Sequence, residues 1–371
     1  MNKPETSILF TPVMIGRLAV ANRFVRSATA EFMAEDGGTV TPRLVELYRR
    51  LAEGEVGLII SGHAYVKPEG KAGPRQTAVF DDRFIPGLSR IAAAVHAFPS
   101  RVFLQLAHAG RQTKPRVCGC DPVGPSPVLD PSSGVLPREL GGVEIEGLIS
   151  AFVQAARRAR EAGFDGVELH AAHGYLLSSF ISPHTNRRQD DWGGDAGRRG
   201  RIVVEILRGV KDACGPSFPV IIKLNSTDLL PTGLTLAESV ALAVRLEREG
   251  LDAVETSGGM NEAGRGSVWP GLRAEDEEGY FVANAAEVKR AVRIPVFGLG
   301  GFRTFRVMEE AVSSGRVDLI SVSRPLIRDP DLVREFRTGE TDKSACMSCN
   351  KCFNPRGIRC AQVRATRDGG A

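Results

Sequence analysis

The fold prediction rests on one stretch of sequence, Asp165-Gly166-Val167-Glu168-Leu169-His170-Ala171-Ala172-His173-Gly174-Tyr175. It opens with an apolar run of strand length and ends with two imidazoles and a phenol, just before a segment of helical periodicity. These reactive side chains therefore lie at the carboxyl end of a predicted strand. In a parallel α/β barrel the loops at that end converge on one mouth, where such folds build their active sites.

The rest of the chain repeats the same strand-then-helix pattern. Eight strand-like segments occur, at residues 24–28, 56–61, 102–106, 166–169, 220–224, 253–256, 296–299 and 319–322. Helical periodicity fills the intervals, most clearly at residues 146–162, 200–214, 236–249, 283–291 and 304–314. Gly163, Gly250 and Gly315 each end a predicted helix, and an Asp and a new strand follow shortly after. Eight such repeats predict a single-domain (β/α)8 TIM barrel.

The boundaries and the long loops follow from this frame. We assign residues 1–340 to the barrel and residues 341–371 to a cysteine-rich tail packed on it. Residues 8–16 predict a short hairpin that forms a lid. Residues 107–142 and 257–281 follow strands three and six, and loops of this length on the carboxyl side usually build the active site and its cover. For residues 257–281 a disordered surface insertion is the alternative, because the segment is rich in glycine.

The composition excludes several classes of protein. Lys and Arg number 48 against 44 Asp and Glu, and no long basic run occurs, which argues against a nucleic-acid partner. No amino-terminal signal segment and no membrane-length apolar run is present in the sequence. We therefore expect a soluble, cytoplasmic protein without a membrane partner, and homo-oligomer formation stays open. The seven cysteines do not suggest a secreted disulfide framework.

Three side chains of the opening stretch suggest a carbonyl site. Two neutral imidazoles, those of His170 and His173, can each donate a hydrogen bond to one oxygen, and the phenol of Tyr175 can supply a proton nearby. The alternative is that the two histidines are satisfied core residues. A pair followed by a tyrosine at a strand end favours the functional interpretation.

The loops after strands seven and eight suggest a phosphate site. Gly300 and Gly301 follow the seventh strand, and Ser323 and Arg324 follow the eighth. Backbone N–H groups of glycines and a fixed cation at these two loops commonly hold a phosphate in such barrels. A mononucleotide fits this arrangement, whereas the dinucleotide-binding Rossmann pattern lacks its third glycine and its acidic residue.

Two polar residues interrupt otherwise apolar strands. Gln105 lies on strand three and Lys223 on strand five, and inward polar groups on such strands need partners. The edge of a planar heterocycle would satisfy Gln105, while Lys223 would stabilise negative charge that develops on it. The alternative is that Lys223 pairs with a buried carboxylate such as Glu168 or Glu255.

Several motifs together resemble the old yellow enzyme family of FMN-dependent ene-reductases: Asn22-Arg23, residues 105–111, residues 168–176, residues 182–194 and Asp329-Pro330. The resemblance implies that His170 and His173 bind the substrate carbonyl oxygen and that Tyr175 donates a proton. It also implies a set of FMN contacts: Ser27, Ala28, His63, Gln105, Lys223, Gly300, Gly301, Ser323 and Arg324.

The sequence departs from the family at two positions. The family usually has Arg in place of Lys223. Ala30 stands where many relatives have a Thr or Cys that tunes the flavin, and Thr29 or His63 are the candidates to replace that contact.

The cysteine tail suggests a metal centre. Cys346, Cys349, Cys352 and Cys360 have a spacing that can hold three corners of an iron–sulfur cubane and close the fourth. It is similar to the iron–sulfur segment of the 2,4-dienoyl-CoA reductase and trimethylamine dehydrogenase branch, although the last gap is longer there. A [4Fe–4S] cluster, a structural zinc and free thiols all remain open.

Taken with the resemblance, these features predict an FMN-dependent NAD(P)H:flavin oxidoreductase that reduces the C=C bond of an α,β-unsaturated carbonyl or enoyl-type substrate. NADH, NADPH or an electron-donor protein would be the reductant. The alternatives are an FMN-dependent amine or ether dehydrogenase on the same barrel, and a flavin and iron–sulfur electron-transfer subunit of a larger complex.

Overall fold

Eight short runs of mostly buried residues form a closed parallel barrel in the computed structural model, which describes residues 6–363. The barrel strands β1–β8 are Phe24–Arg26, Leu58–Ile60, Arg101–Ala107, Gly166–Ala171, Val220–Asn225, Ala253–Ser257, Val296–Gly298 and Leu319–Val322. Each strand pairs with the next one along the chain, and pairing of β8 with β1 closes the ring. The predicted barrel is confirmed. Strand β1 ends two residues earlier than expected, so Ser27 and Ala28 follow it.

One main helix follows each strand. Helices α1–α8 are Pro42–Glu53, Ile85–His96, Gly142–Glu161, Arg201–Cys214, Leu236–Arg248, Val282–Ala291, Phe305–Ser313 and Leu332–Thr338. The start of α1 follows from local chemistry, since the Thr41 hydroxyl accepts from the Leu44 N–H at 3.2 Å and Pro42 occupies the first turn. Thr235 and Glu238 cap α5 reciprocally. The boundaries of both helices are thus encoded locally.

Three aspartates explain the Gly-then-Asp pattern between helices and strands. Asp165, which precedes β4, accepts the Val102 N–H of β3 at 2.8 Å. Asp252 accepts the first N–H of β5 at 2.7 Å, and Asp318 accepts the first N–H of β7 at 2.8 Å. Each carboxylate therefore ties the start of an even-numbered strand to the odd-numbered strand before it. A buried strand start keeps its backbone donor satisfied in this way.

The barrel interior changes from apolar to polar along the strands. Its lower layer consists of Val25, Leu58, Ile60, Phe103, Ile221, Ala253, Phe297 and Leu319. Successive side chains of a strand alternate between faces, so the residue two positions later points to the same side. Phe103 is therefore followed on the inner face by Gln105, and Ile221 by Lys223. The polar groups stand directly above the apolar plug, at the carboxyl end.

An amino-terminal hairpin closes the opposite end. Strands Val13–Ile15 and Leu18–Val20 pair antiparallel, and Ile15 and Val20 join the lower apolar layer. The hairpin lies later than the predicted 8–16, because residues Ile8–Phe10 form a 3-10 turn and the reversal occurs at Gly16. Gly16 has φ +56°, and an added Cβ would collide with the Asp252 carboxylate.

The cysteine-rich segment lies against the barrel as far as it is described. Ser344 N–H donates to the Arg303 carbonyl at 2.8 Å, and Ile358 N–H donates to the Glu31 carbonyl at 2.7 Å. Residues 364–371 of the predicted tail lie outside the described residues. Within residues 6–363, no helix has the length and apolar character needed to cross a membrane.

Replacing Gly16 with Ala should destabilise the protein by about 1–3 kcal/mol, because an L-residue is strained at this φ and its Cβ would displace Asp252. Asp252 cannot move freely, since it also binds Lys211 Nζ at 2.6 Å. Urea denaturation measures the loss. The matched control is Gly37→Ala, where an added Cβ meets nothing within 4 Å. Equal midpoints for the two variants would show that the hairpin turn carries no such constraint.

Candidate active site

The predicted site residues converge on one cavity of about 260 Å³ at the carboxyl end of the barrel. Its lining includes Ser27, Ala28, His63, Gln105, His170, His173, Tyr175, Lys223, Gly300, Gly301, Ser323 and Arg324. These residues come from seven of the eight strands or from the loops that follow them. The structure therefore places every predicted catalytic and cofactor residue around a single space.

His170 and His173 form one wall of the cavity. Their ring centroids lie 5.3 Å apart. His170 Nδ1 accepts the Ala172 N–H at 3.4 Å, which leaves Nε2 as the donor of a neutral ring. His173 has φ +64°, an uncommon conformation for a residue with a side chain, and its N–H donates to Asn225 Oδ1 at 3.1 Å. The backbone at His173 is thus held in a strained conformation beside the cavity.

Both imidazoles are neutral at ordinary pH. Burial, followed by the neighbouring His173, lowers the pKa of His170 well below its usual value. Burial and the nearby Lys223 lower the pKa of His173 to about 3. Neutral rings can each donate one hydrogen bond to an uncharged oxygen and can stabilise negative charge that develops on it.

Tyr175 stands beside this pair. Its ring centroid lies 4.7 Å from that of His170, in an edge arrangement. The residue immediately precedes the short helix Leu176–Ile181, which fixes its position at the mouth. Burial raises the pKa of Tyr175 to about 12, so the phenol keeps its proton at neutral pH. The structure brings together a phenol that carries its proton and two neutral imidazoles that can donate, as predicted.

A buried charged group forms the floor of the cavity. Lys223 Nζ lies 2.9 Å from Glu255 Oε2 and 3.9 Å from Glu168 Oε2, and the Gln105 amide donates to Glu168 at 2.6 Å. Burial and the nearby Glu255 raise the pKa of Glu168. Burial also opposes ionisation of Glu255, but Lys223 and hydrogen bonds from neighbours such as Glu168 together outweigh burial and lower the pKa of Glu255. The alternative in which Lys223 pairs with a carboxylate is therefore observed. Lys223 also lines the cavity.

The opposite side has the chemistry of a phosphate cradle. Gly300 has φ +134° and Gly301 φ +76°, and a Cβ at either position would collide with neighbouring groups such as Tyr280. Arg324 is buried, and its hydrogen bonds to Trp269, Ser348 and Asn350 all use Nη1. Nη2 lies near Gly301. Open backbone and a fixed guanidinium fit the phosphate of a mononucleotide.

The two candidates to replace the contact missing at Ala30 both have protein partners. The hydroxyls of Thr29 and Ser323 hydrogen-bond to each other at 2.6 Å, and Thr29 also donates to the Ser27 carbonyl. Thr29 is therefore hydrogen-bonded to a residue of the predicted phosphate site. His63 contacts Gln76 and Tyr175.

Several lining residues were not predicted from the sequence. Ser257 hydrogen-bonds to His173 Nε2 at 2.7 Å, and Tyr280, Asn261 and Phe353 also line the cavity. Ser257 ends strand β6, so its place at a strand terminus was a usable signal. Tyr280 comes from the loop after β6, whose path depends on contacts such as its stacking on Trp269 at 4.2 Å. Short-range patterns do not encode that path.

The four tail cysteines line a second, small cavity beside Arg324. Ser348 and Asn350, which lie between them, have φ values of +51° and +58°. No three Cys, His, Asp or Glu side chains among residues 6–363 form a group that could hold a metal ion. The thiols are therefore neighbours without forming a metal-binding group in this structure.

Comparison with known proteins identifies the family. The model of the NADH:flavin oxidoreductase / NADH oxidase family matches residues 8–343. The chain belongs to this family. Membership confirms the predicted resemblance to the old yellow enzymes and supports FMN as the cofactor and a nicotinamide nucleotide as the reductant.

Individual relatives are similar over different lengths. An NADH oxidase of Thermoanaerobacter brockii is 39% identical over 96% of this chain, which covers 55% of that relative. An NADPH dehydrogenase of Geobacillus thermodenitrificans is 34% identical over 87% of this chain and 92% of its own length. A solved 2-naphthoyl-CoA reductase complex has a TM-score of 0.87 and 31% identity over 93% of this chain and 54% of that one. The chain thus spans about half the length of the Thermoanaerobacter brockii NADH oxidase and of the 2-naphthoyl-CoA reductase.

The buried histidines should make stability depend on pH. Unfolding returns both imidazoles to an ordinary pKa of about 6.5. Between that value and the depressed folded pKa, about 3 for His173, the unfolded chain binds more protons, so stability falls as the pH falls. Each histidine should contribute up to about 1.4 kcal/mol per pH unit. Urea denaturation at pH 7 and pH 5 tests this. The double variant His170→Gln/His173→Gln should lose less stability between the two pH values than the wild type. Parallel losses would mean that the imidazoles titrate normally in the folded protein.

Proposed function

We propose that the chain binds FMN in the main cavity and reduces the C=C bond of an α,β-unsaturated carbonyl or enoyl-type compound. One observation carries this proposal: two neutral imidazoles and a protonated phenol form one wall of a cavity whose other side is a glycine and arginine cradle. FMN, when bound, supplies the hydride that the β-carbon receives. Gln105, Lys223, Gly300, Gly301 and Arg324 are the residues that would hold it.

The chain's own side chains do the remaining work. His170 and His173 bind the carbonyl oxygen through their N–H groups and stabilise the negative charge that develops there. Tyr175 gives its proton to the α-carbon, which completes the addition of hydrogen across the double bond. Two neutral donors suit this role better than charged ones, because they bind an uncharged ketone without burying a net charge.

The comparisons support a conjugated carbonyl substrate. The solved 2-naphthoyl-CoA reductase is named for a conjugated thioester, and its fold matches this chain closely. The reductant would be NADH, NADPH or an electron-donor protein. An amine or ether dehydrogenase would pass electrons toward the flavin, and an electron-transfer subunit would reduce no enone. Enone reduction by the isolated holoprotein therefore separates the proposed function from both alternatives.

Replacing His170 and His173 together with Ala should abolish enone reduction and weaken phenol binding, because both need the paired donors. FMN should stay bound, since its contacts come from other strands. Anaerobic reoxidation of the reduced protein by cyclohexenone, and spectral titration with a phenol, measure the two effects. The matched control is His184→Ala, a histidine that does not line the cavity. Wild-type phenol affinity in the double variant would contradict a ligand-binding pair.

We propose, second, that the four tail cysteines hold a [4Fe–4S] cluster. The shared cavity and the two left-handed residues between the cysteines support this, because such strained positions gather at functional sites. The thiols as placed do not form a metal-binding group, so a cluster would require them to approach one another. Zinc and free thiols are the alternatives.

Metal analysis of anaerobically purified protein decides between these alternatives. A cluster predicts about four iron and about four acid-labile sulfide per chain. Cys349→Ser should lower both, whereas Cys214→Ser, which changes a buried thiol in the apolar core, should lower neither. One zinc per chain, or no metal at all, would rule the cluster out.

A further inference from the structure

A third imidazole borders the active site without a role in the proposed chemistry. His63 lies between the main cavity and a smaller one of about 100 Å³, and it lines both. Its ring centroid is 5.4 Å from that of Tyr175 and 6.3 Å from that of His170. Tyr175 also lines both cavities. His63 is therefore placed to act on the proton donor rather than on the carbonyl oxygen.

The side-chain amide of Gln76 has a fixed orientation. Its Oε1 accepts the Ala72 N–H at 2.7 Å, and its Nε2 donates to the His63 carbonyl at 3.0 Å. A backbone N–H only donates and a backbone carbonyl only accepts, so exchanging the amide oxygen and nitrogen would break both bonds. The amide nitrogen therefore faces His63.

This orientation decides the tautomer of His63. Gln76 Nε2 lies 2.6 Å from His63 Nδ1, and because an amide nitrogen can only donate, Nδ1 must accept. Burial lowers the pKa of His63, so the ring is neutral and carries one proton. That proton belongs to Nε2, which lies 3.5 Å from the Tyr175 hydroxyl oxygen. His63 is thus a donor toward Tyr175.

We propose that His63 is a positioning residue: its Nε2–H donates to the Tyr175 oxygen, turns the phenol's own proton toward the main cavity and stabilises the phenolate that proton transfer leaves behind. This inference rests on the proposed function. In the transfer, the Tyr175 O–H bond breaks, the electron pair of the substrate enolate forms the new C–H bond, and the negative charge moves to the Tyr175 oxygen.

The environment of Tyr175 favours such a donor. Burial raises its pKa to about 12, which weakens the phenol as an acid. A hydrogen bond donated to the charged form acts in the opposite direction. His63 is the ring nitrogen donor that meets the Tyr175 oxygen within the described part of the chain. Its other nitrogen is already bound by Gln76, so the ring is oriented before substrate arrives.

Three variants test the proposal. His63→Phe keeps a ring without a donor, His63→Gln restores an N–H, and Tyr175→Phe removes the acid itself. Tyr175→Phe should slow reoxidation by cyclohexenone by roughly 10²–10⁴-fold. His63→Phe should slow it by roughly 10- to 100-fold, the range for a hydrogen bond to a charged group, and His63→Gln should recover part of that loss. A nitroalkene, whose product anion can leave unprotonated, should show a much smaller effect.

The same variants reveal a merely structural role. In the Tyr175→Phe background, His63→Phe should cause no further loss with cyclohexenone, because the group it assists is gone. Equal losses with both oxidants, or a full additional loss in that background, would overturn the proposal. The reductive half-reaction, in which the nicotinamide nucleotide reduces the flavin, is measured for the same variants.

A second measurement does not depend on turnover. Nitrogen-15 NMR of histidine-labelled holoprotein reports which ring nitrogen of His63 carries the proton, and the signal is assigned by its absence in His63→Phe. We expect protonation at Nε2 in the wild type and a mixture of tautomers in Gln76→Leu. Protonation at Nδ1 would overturn the proposal. A holoprotein that reduces no enone but shows the Nε2 tautomer would instead disprove the proposed function and leave the orientation of His63 established.

Discussion

Three carboxylates at the bottom of the barrel determine which side chains reach its mouth. Asp165, Asp252 and Asp318 each accept a backbone N–H from the adjacent strand and so fix the register of three strand pairs. Because side chains alternate along a strand, a slip of one residue would turn Gln105 and Lys223 outward. The active site at one end of the barrel thus depends on hydrogen bonds at the other.

The centre of the barrel holds more charge than an apolar core tolerates unaided. Glu168, Lys223 and Glu255 are almost fully buried and lie together. A buried charge is costly unless it is paired, and one cation beside two carboxylates leaves an excess of negative charge. The opposite pKa shifts of the two glutamates resolve the conflict, because they keep a proton on Glu168. The floor of the cavity therefore carries little net charge.

Much of the fold and the site could be predicted from the sequence, for identifiable reasons. Short apolar runs in the sequence predict the barrel strands. His170, Tyr175 and Arg324 lie at or just after strand ends, which are local features of the sequence. The partners of Lys223 could only be narrowed to two glutamates, because pairing across strands depends on register. The link between His63 and Gln76 had no sequence signal, since it arises where a loop folds back. The hairpin was placed too early for a similar reason: its turn lies at Gly16, where Asp252 from a distant part of the chain fills the space that a side chain would need.

Arg324 shows how one side chain serves two parts of the protein. Its Nη1 holds the cysteine segment through Ser348 and Asn350, while Nη2 lies near the Gly301 backbone. A lysine could not do both, because a single ammonium lacks the two separated edges of a guanidinium. The cysteine segment and the cradle are therefore joined through a rigid planar group.

The left-handed backbone at His173 influences which residues this position favours. Glycine adopts φ +64° at the lowest conformational energy, and a residue with a Cβ is less stable there by about 1–3 kcal/mol. If folding stability alone were selected, substitutions at position 173 would therefore favour glycine. Under the proposed function His173 binds the substrate carbonyl, so the requirements of stability and activity would be opposed at this position.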